Sequence, residues 1–139
     1  SYEDYFKVIP AIGKEIGDAN PGMKCSVPEY CFNIYHDGEY KENDIDIEFC
    51  EAVPKRGKDT ETIKFKKIDK IDTAACVMHK GPYSTLGEAY SAVYKWIEEN
   101  NYIPCDNPRE SYIDGIWNKE DPEEWPTEIQ VPIVSKNNL

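Results

Sequence analysis

The chain has 139 residues, enough for one domain with its own hydrophobic core, so it needs neither disulfides nor a structural metal to fold. Its net charge of −11 and its pI of about 4.6 argue against a nucleic-acid-binding segment, because phosphate contacts need clustered Lys and Arg. Five cysteines without a Cys-x-x-Cys pair indicate reduced thiols in the cytoplasm rather than a zinc site, and no stretch has the roughly 20 apolar residues of a membrane span.

The first half of the chain is predicted to form one helix followed by strands. Apolar residues at helical spacing predict a helix over Tyr2–Gly17, in which Pro10 indicates either a kink or a later start. Alternation of apolar and polar residues predicts three strands: Tyr30–His36, Ile45–Phe49 and Thr62–Ile68.

The second half is predicted to begin with a strand over Asp72–His79 and a helix that runs from Ser84, as N-cap, to Asn100. Two segments are predicted to be loops, and two more to be strands: the loops Asn101–Arg109 and Glu120–Trp125, and the strands Ser111–Trp117 and Thr127–Val134. Pro132 within the last strand indicates a sheet edge or a bulge, since proline cannot donate a ladder hydrogen bond.

The chain also repeats itself loosely after about 80 residues. Cys25–Pro28 resembles Cys105–Pro108, and Tyr30 matches Tyr112. Such a period indicates two copies of one structural unit, with halves of about 1–60 and 61–139, related by a pseudo-twofold axis.

An ordered set of segments resembles the GyrI-like domains, the effector-binding domains of AraC-type regulators. The segments are Ile34–Asp37, Asp44–Glu48, Val77–Ser84, Trp96–Asn100, Pro108–Trp117 and Trp125–Ile133. The resemblance covers nearly the whole chain and implies a single α+β domain over residues 1–139. In that fold, two pseudo-twofold βαββ units form a curved antiparallel sheet with two helices and a central ligand cleft.

What the resemblance implies about function is an effector-binding domain of a bacterial transcription regulator, with multidrug binding of lipophilic, cationic molecules. DNA would be contacted only through a further domain, expected upstream of residue 1, and a homodimer of the full-length protein is compatible with this interpretation. The alternatives are a stand-alone hydrolase or sequestering protein for electrophilic, cyclopropane-bearing toxins, and a gyrase-modulating interaction protein.

Two glutamates are candidate partners of a cationic ligand. Glu128 lies in a predicted strand between apolar residues, and is either an exposed strand carboxylate or a buried charge that a cation would neutralise. Glu110, just before Tyr112, falls where the resemblance places a ligand-facing carboxylate, and is otherwise a solvated residue at a strand start.

Aromatic residues at equivalent places in the two repeats are the other candidate ligand-binding residues, because the faces of Tyr and Trp attract organic cations. They pair as Tyr35 with Trp117 and Tyr30 with Tyr112, and Trp96 on the second helix is added as a cleft wall or core residue. The sequence has no nucleophile paired with a base, no phosphate loop and no metal-ligand spacing, so we expect no catalytic residue, no metal and no cofactor.

Overall fold

A computed structural model of the chain describes residues 2–23, 31–37, 41, 43–115 and 118–138, with the backbone alone for residues 2–10. Within these ranges there are two α-helices and six strands. They are α1 (Tyr2–Ala19), β1 (Cys31–Tyr35), β2 (Ile47–Glu51), β3 (Ala74–Lys80), α2 (Leu86–Glu99), β4 (Tyr102–Pro104), β5 (Arg109–Tyr112) and β6 (Pro126–Ser135).

The described residues fall into two compact units. Unit 1 comprises Ser1–Cys31 and Glu51–Lys70, and unit 2 comprises Phe32–Cys50 and Ile71–Leu139. Neither described helix is long and apolar enough to cross a membrane.

The strands form an open sheet in the order β2-β1-β5-β6-β3, and β4 pairs with the far end of β6. The pairs of β1 with β5 and of β6 with β3, β4 and β5 are antiparallel. The predicted α+β class with an antiparallel sheet and two helices is therefore confirmed.

The register of the sheet decides which side chains share a face. Glu110 lies opposite Asn33 on one side and Ile129 on the other, and Ile129 lies opposite Val77. Helix α2 packs on this face, which we call the helix face, and buries Leu86, Tyr90, Val93 and Ile97 against Ile129, Val131 and Ile133. Because successive residues of a strand alternate between faces, Ser111, Glu128 and Met78 lie on the reverse face.

Both predicted helices and most of the predicted strands agree in kind with the structure, although their ends differ by a few residues. Helix α1 is continuous from Tyr2 through Pro10. Strands β1, β3 and β6 correspond to the strands predicted over Tyr30–His36, Asp72–His79 and Thr127–Val134. The strand predicted over Ile45–Phe49 starts only at Ile47, because Asp44 has a positive φ of 53° that interrupts extended backbone.

The strand predicted over Thr62–Ile68 is wrong. Side chains rather than a neighbouring strand take up the backbone groups of this segment in unit 1. The Ile63 N–H donates to Thr60 Oγ1 at 2.9 Å, and the Phe65 N–H donates to Asp59 Oδ1 at 2.8 Å. Such local side-chain partners compete with sheet ladders, and apolar alternation alone does not reveal them.

Pro132 does not mark a sheet edge, because β6 has neighbours on both sides. The Pro132 carbonyl accepts from the Cys105 N–H at 2.9 Å, and the next residue, Ile133, donates to the Thr73 carbonyl on the β3 side. The missing N–H of Pro132 therefore points to where the partner of β6 changes from β5 to β4, so no ladder bond is lost.

The remaining differences lie around α2 and β5. A 3₁₀ turn over Tyr83–Thr85 precedes the helix, so Thr85 rather than Ser84 is the N-cap, and its hydroxyl donates to the Pro82 carbonyl. The segment Asn101–Arg109, predicted to be a loop, contains the short strand β4, and the strand predicted over Ser111–Trp117 ends at Tyr112.

Candidate functional site

A buried carboxylate on the helix face is the centre of the site. Glu110 is only 1% exposed, and three tyrosine hydroxyls donate to it. The Tyr90 hydroxyl lies 2.5 Å from Glu110 Oε1, while those of Tyr35 and Tyr112 lie 2.7 and 2.5 Å from Oε2. We call these four residues the Glu110 site.

Three elements bring these side chains together. Glu110 and Tyr112 share a face because they are two residues apart on β5. Tyr35 comes from β1, the strand that pairs with β5, and Tyr90 comes from the buried stripe of α2. Asn33, opposite Glu110 in the register, adds an outer contact by donating from Nδ2 to the Tyr112 hydroxyl at 2.7 Å.

The electrostatics of the site follow from this burial. Loss of hydration raises the pKa of Glu110; the three tyrosine hydrogen bonds and, to a smaller extent, the charge of His79 oppose that rise without cancelling it. Burial and the neighbouring Glu110 carboxylate raise the pKa of Tyr90 far above its usual range, so Tyr90 stays a neutral donor. Among the described residues no Lys, Arg or His forms an ion pair with Glu110.

Aromatic rings continue from the Glu110 site along the same side of the molecule. The half-buried ring of Tyr83 meets Tyr112 edge-on at 5.4 Å between centroids and lies 5.1 Å from the buried ring of Trp125. The Trp125 Nε1–H donates to the Lys119 carbonyl at 2.8 Å, which fixes the indole. These rings form a continuous aromatic surface beside the Glu110 site.

The structure brings together three of the predicted ligand-binding residues, Tyr35, Glu110 and Tyr112. Glu128 lies on the reverse face, half-buried, and accepts from Gln130 Nε2 at 2.7 Å, so it is not part of the Glu110 site. Tyr30 and Trp117 fall outside the described residues.

Trp96 does not lie at the Glu110 site either. It is 48% exposed near the end of α2, where it stacks on Tyr102 with the ring centroids 6.0 Å apart.

Sequence reasoning missed the roles of Tyr90, Asn33, Tyr83 and Trp125. A tyrosine in the apolar stripe of a buried helix, such as Tyr90, needs a partner for its hydroxyl. That need is the signal that points to a nearby acceptor. For the other three residues, neither spacing nor periodicity indicates a shared site.

Other parts of the described chain offer less. A cavity of about 600 Å³ in unit 1 is lined by polar or small residues, among them Glu15, Asp18 and Thr60, and none of its described lining residues is aromatic. The His36 ring contacts Glu48 at 3.3 Å and Asn107 at 3.2 Å. No group of three or more metal-ligating side chains occurs in the described ranges.

Comparison with known proteins agrees with this architecture. The chain is similar to the structure of the EcmrR C-terminal domain, with 53% identity and a TM-score of 0.89 over 94% of this chain and 82% of that one. The chain is also similar to EcmrR in a solved EcmrR–DNA complex, with 52% identity and a TM-score of 0.90. This match covers 97% of this chain and 50% of that one.

This chain therefore spans about half the length of EcmrR in that complex. No curated protein sequence matches it. The family model of the GyrI-like small molecule binding domain matches residues 2–134, and the chain belongs to that family.

Proposed function

We propose that this chain is the effector-binding domain of a bacterial transcription regulator, and that its effector is a lipophilic cation for which Glu110 is the counter-charge. The family binds small molecules, and a similar chain, EcmrR, has been solved with DNA. Because this chain corresponds to only half of EcmrR, and because its own net charge is −11, we place DNA contact outside these residues.

The observation that carries the proposal is the lack of an ion pair to Glu110 among the described residues; the charge of His79 is the smallest of the influences on the pKa of this carboxyl. The carboxylate is removed from water, and its described partners are neutral hydroxyls. A buried carboxylate without a cation is costly, and that cost shows as a raised pKa. A cationic ligand would supply the missing charge, whereas a neutral or anionic ligand of the same shape would not.

A ligand that reaches the carboxylate must displace at least one tyrosine hydroxyl. Tyr112 is the best candidate, because its side chain is half-buried whereas Tyr35 and Tyr90 are buried. The displaced ring of Tyr112 and the neighbouring ring of Tyr83 would then face the ligand. An aromatic face attracts a cation by about 0.5–2 kcal/mol.

Transmission of the signal follows from the elements that hold Glu110. The carboxylate links β1 through Tyr35, β5 through Tyr112 and α2 through Tyr90. A cation that replaces one of these bonds changes the balance between conformations in which the three elements are joined differently. Its effect on a regulator is limited to its difference in affinity for those conformations.

A pair of probes with one shape and opposite charge tests the proposal. Tetraphenylphosphonium and tetraphenylborate would be titrated while tryptophan fluorescence is followed. We expect the cation to bind and the anion not to. We expect Glu110→Gln to weaken cation binding about tenfold or more, which is the loss of one buried charge interaction. Glu128→Gln, on the reverse face, is the matched control and should bind like the parent chain; equal binding by both variants would overturn the charge pairing.

A hydrolase of strained electrophiles is a second candidate function, favoured by the 2.5 Å contact between Tyr112 and Glu110. In such a hydrolysis the carboxylate would take a proton from the water that attacks a cyclopropane carbon, and the phenol would donate a proton to the substrate as the ring C–C bond breaks, so both groups must reach one ligand. Incubation with a cyclopropane-bearing alkylating agent distinguishes the two functions. Several product molecules per protein, lost in Tyr112→Phe, would support the hydrolase, and stoichiometric binding without product would count against it.

A further inference from the structure

Two buried polar atoms beside the Glu110 site have no hydrogen-bond partner among the described residues. They are Thr127 Oγ1 and His79 Nδ1, which we call the acceptor pair. Thr127 is 0% exposed. Buried polar groups in folded proteins are nearly always paired, and such an orphan calls for an explanation.

The sheet places the acceptor pair next to the Glu110 site. Thr127 of β6 lies directly opposite His79 of β3 on one side and Tyr112 of β5 on the other. Residues opposite one another on one face have Cβ atoms about 4.5–5.5 Å apart. His79, Thr127 and Tyr112 therefore form one row on the helix face, and Tyr112 at its end contacts Glu110.

The hydrogen bonds of His79 show whether its Nδ1 is a donor or an acceptor. Its other nitrogen, Nε2, lies 2.8 Å from Thr85 Oγ1, and that hydroxyl donates its only proton to the Pro82 carbonyl at 2.9 Å. Thr85 must therefore accept from a proton on Nε2. In the neutral ring, Nδ1 then carries a lone pair and can only accept.

With a neutral His79, this row and Glu110 thus present hydrogen-bond acceptors. Glu110 accepts from three tyrosines, His79 Nδ1 accepts, and the Thr127 hydroxyl can accept as well as donate. A cation without hydrogens on its charged atom would neutralise Glu110 and leave the acceptor pair without a hydrogen bond. A cation with an N–H would satisfy both.

We propose that the effector of this domain is a protonated amine that carries at least one N–H, and that Thr127 and His79 select it over a fully substituted ammonium. This inference rests on the proposed binding of a cation at Glu110 and narrows its chemical class. Selection of this kind is strong because the wrong ligand leaves buried polar atoms unpaired.

The test uses two fluorescent probes that differ only by one N–H. They are (pyren-1-ylmethyl)dimethylammonium and (pyren-1-ylmethyl)trimethylammonium, which share one aromatic body and one positive charge at neutral pH. We expect the parent chain to bind the dimethyl probe about fivefold or more tightly than the trimethyl probe, a difference of the size of one hydrogen bond. Equal affinity for the two probes overturns the inference, whatever the variants show.

Two variants then assign the preference to the acceptor pair. Thr127→Val keeps the shape and removes the hydroxyl, and His79→Gln reaches the position of Nε2 but has no acceptor at that of Nδ1. Each should lower the preference for the dimethyl probe, measured as the ratio of the two affinities in the same variant. A full preference that survives both variants overturns the role of the pair.

Glu110→Gln separates this inference from the function on which it rests. This substitution should weaken the binding of both probes by a similar factor. If neither probe binds, or if both bind and Glu110→Gln changes neither, the proposed function itself fails. If both probes respond to Glu110→Gln and bind equally tightly to the parent chain, only the N–H selection fails.

Discussion

Glu110 and Glu128 lie on neighbouring strands but on opposite faces of the sheet, since Glu110 is opposite Ile129 and Glu128 is opposite Ser111. A ligand on one face therefore cannot contact both carboxylates. Glu110 is enclosed by tyrosine hydroxyls, and Glu128 has the amide of Gln130. Of the two carboxylates, only Glu110 is both removed from water and without an ion pair among the described residues.

Cation affinity should increase with pH because of the raised pKa of Glu110. A carboxyl usually titrates near about 4.3. Below the raised pKa the group is protonated, and a cation must displace that proton. We expect affinity to rise by up to tenfold per pH unit from about 4.3 up to the raised pKa and then to level off. Calorimetric titration in two buffers with different ionisation enthalpies would detect the released proton.

The same shift makes a prediction for stability, with the opposite sign. A carboxyl whose pKa is raised on folding contributes stability that is present below about pH 4.3 and is lost as pH rises through the folded pKa. The parent chain should therefore lose stability relative to Glu110→Gln across that window. A difference between the two chains that stays constant with pH, in binding and in unfolding, would contradict the raised pKa.

Much of the fold was predictable because hydrophobic periodicity reports burial directly. Helix α2 has apolar residues at helical spacing from Leu86 to Ile97, and β6 alternates between Thr127 and Ile133, so packing and pattern agree. The prediction failed where hydrogen bonds from side chains determine the backbone conformation. The segment Thr62–Ile68 alternates like a strand, but hydroxyl and carboxylate partners from residues 59 and 60 hold it.

The candidate site was predictable in part, for a related reason. The resemblance placed Glu110 near a ligand, and the repeat pointed to Tyr35 and Tyr112. Which glutamate is buried depends on register, and a shift by one residue exchanges the two faces of a strand. Alternation in β6 puts Glu128 and Ile129 on different faces of the sheet. Only the packing of α2 shows that the face that carries Ile129 is the buried one.

Tyr90→Phe should destabilise the fold and shift the titration of Glu110. The Tyr90 hydroxyl donates to Glu110 at 2.5 Å, and loss of a donor to a buried charged group costs about 1–3 kcal/mol. Because this hydrogen bond lowers the pKa of Glu110, its removal should move the rise in cation affinity to higher pH. Denaturant unfolding and affinity as a function of pH measure the two effects.

The control for this variant is Tyr94→Phe. Tyr94 lies one turn later on α2, and its ring stacks on that of Tyr90 with centroids 6.4 Å apart. Its hydroxyl does not contact Glu110, so the same substitution should change stability by less than about 0.5 kcal/mol and leave the pH profile in place. If the two variants behave alike, the Tyr90 hydroxyl has no special role.

Thr127→Val should stabilise the unliganded chain. The Thr127 hydroxyl is buried without a described partner, and an unpaired buried hydroxyl costs about 1–3 kcal/mol. Valine fills nearly the same volume without that cost, so we expect a higher melting temperature together with weaker N–H selection. Thr60→Val is the matched control, because the Thr60 hydroxyl is used by Glu15 and by the Ile63 N–H. It should destabilise unit 1; a loss of stability in Thr127→Val would show that its hydroxyl is paired.

Gly57 and Gly13, both in unit 1, should respond in opposite directions to substitution by alanine. A Cβ at Gly57 would lie 2.6 Å from Phe65 Cζ and 2.7 Å from Asn20 Oδ1. That Asn20 oxygen accepts from the Lys58 N–H, so it cannot move without breaking the contact, and overpacking of this kind costs about 1–3 kcal/mol. Gly13 is exposed within α1 with nothing near its Cβ position, and alanine there should stabilise the helix by about 0.5–1 kcal/mol. Thermal unfolding of both variants measures the difference, and a Gly57→Ala chain as stable as the parent would mean that the contact between residues 20 and 58 does not hold unit 1 together.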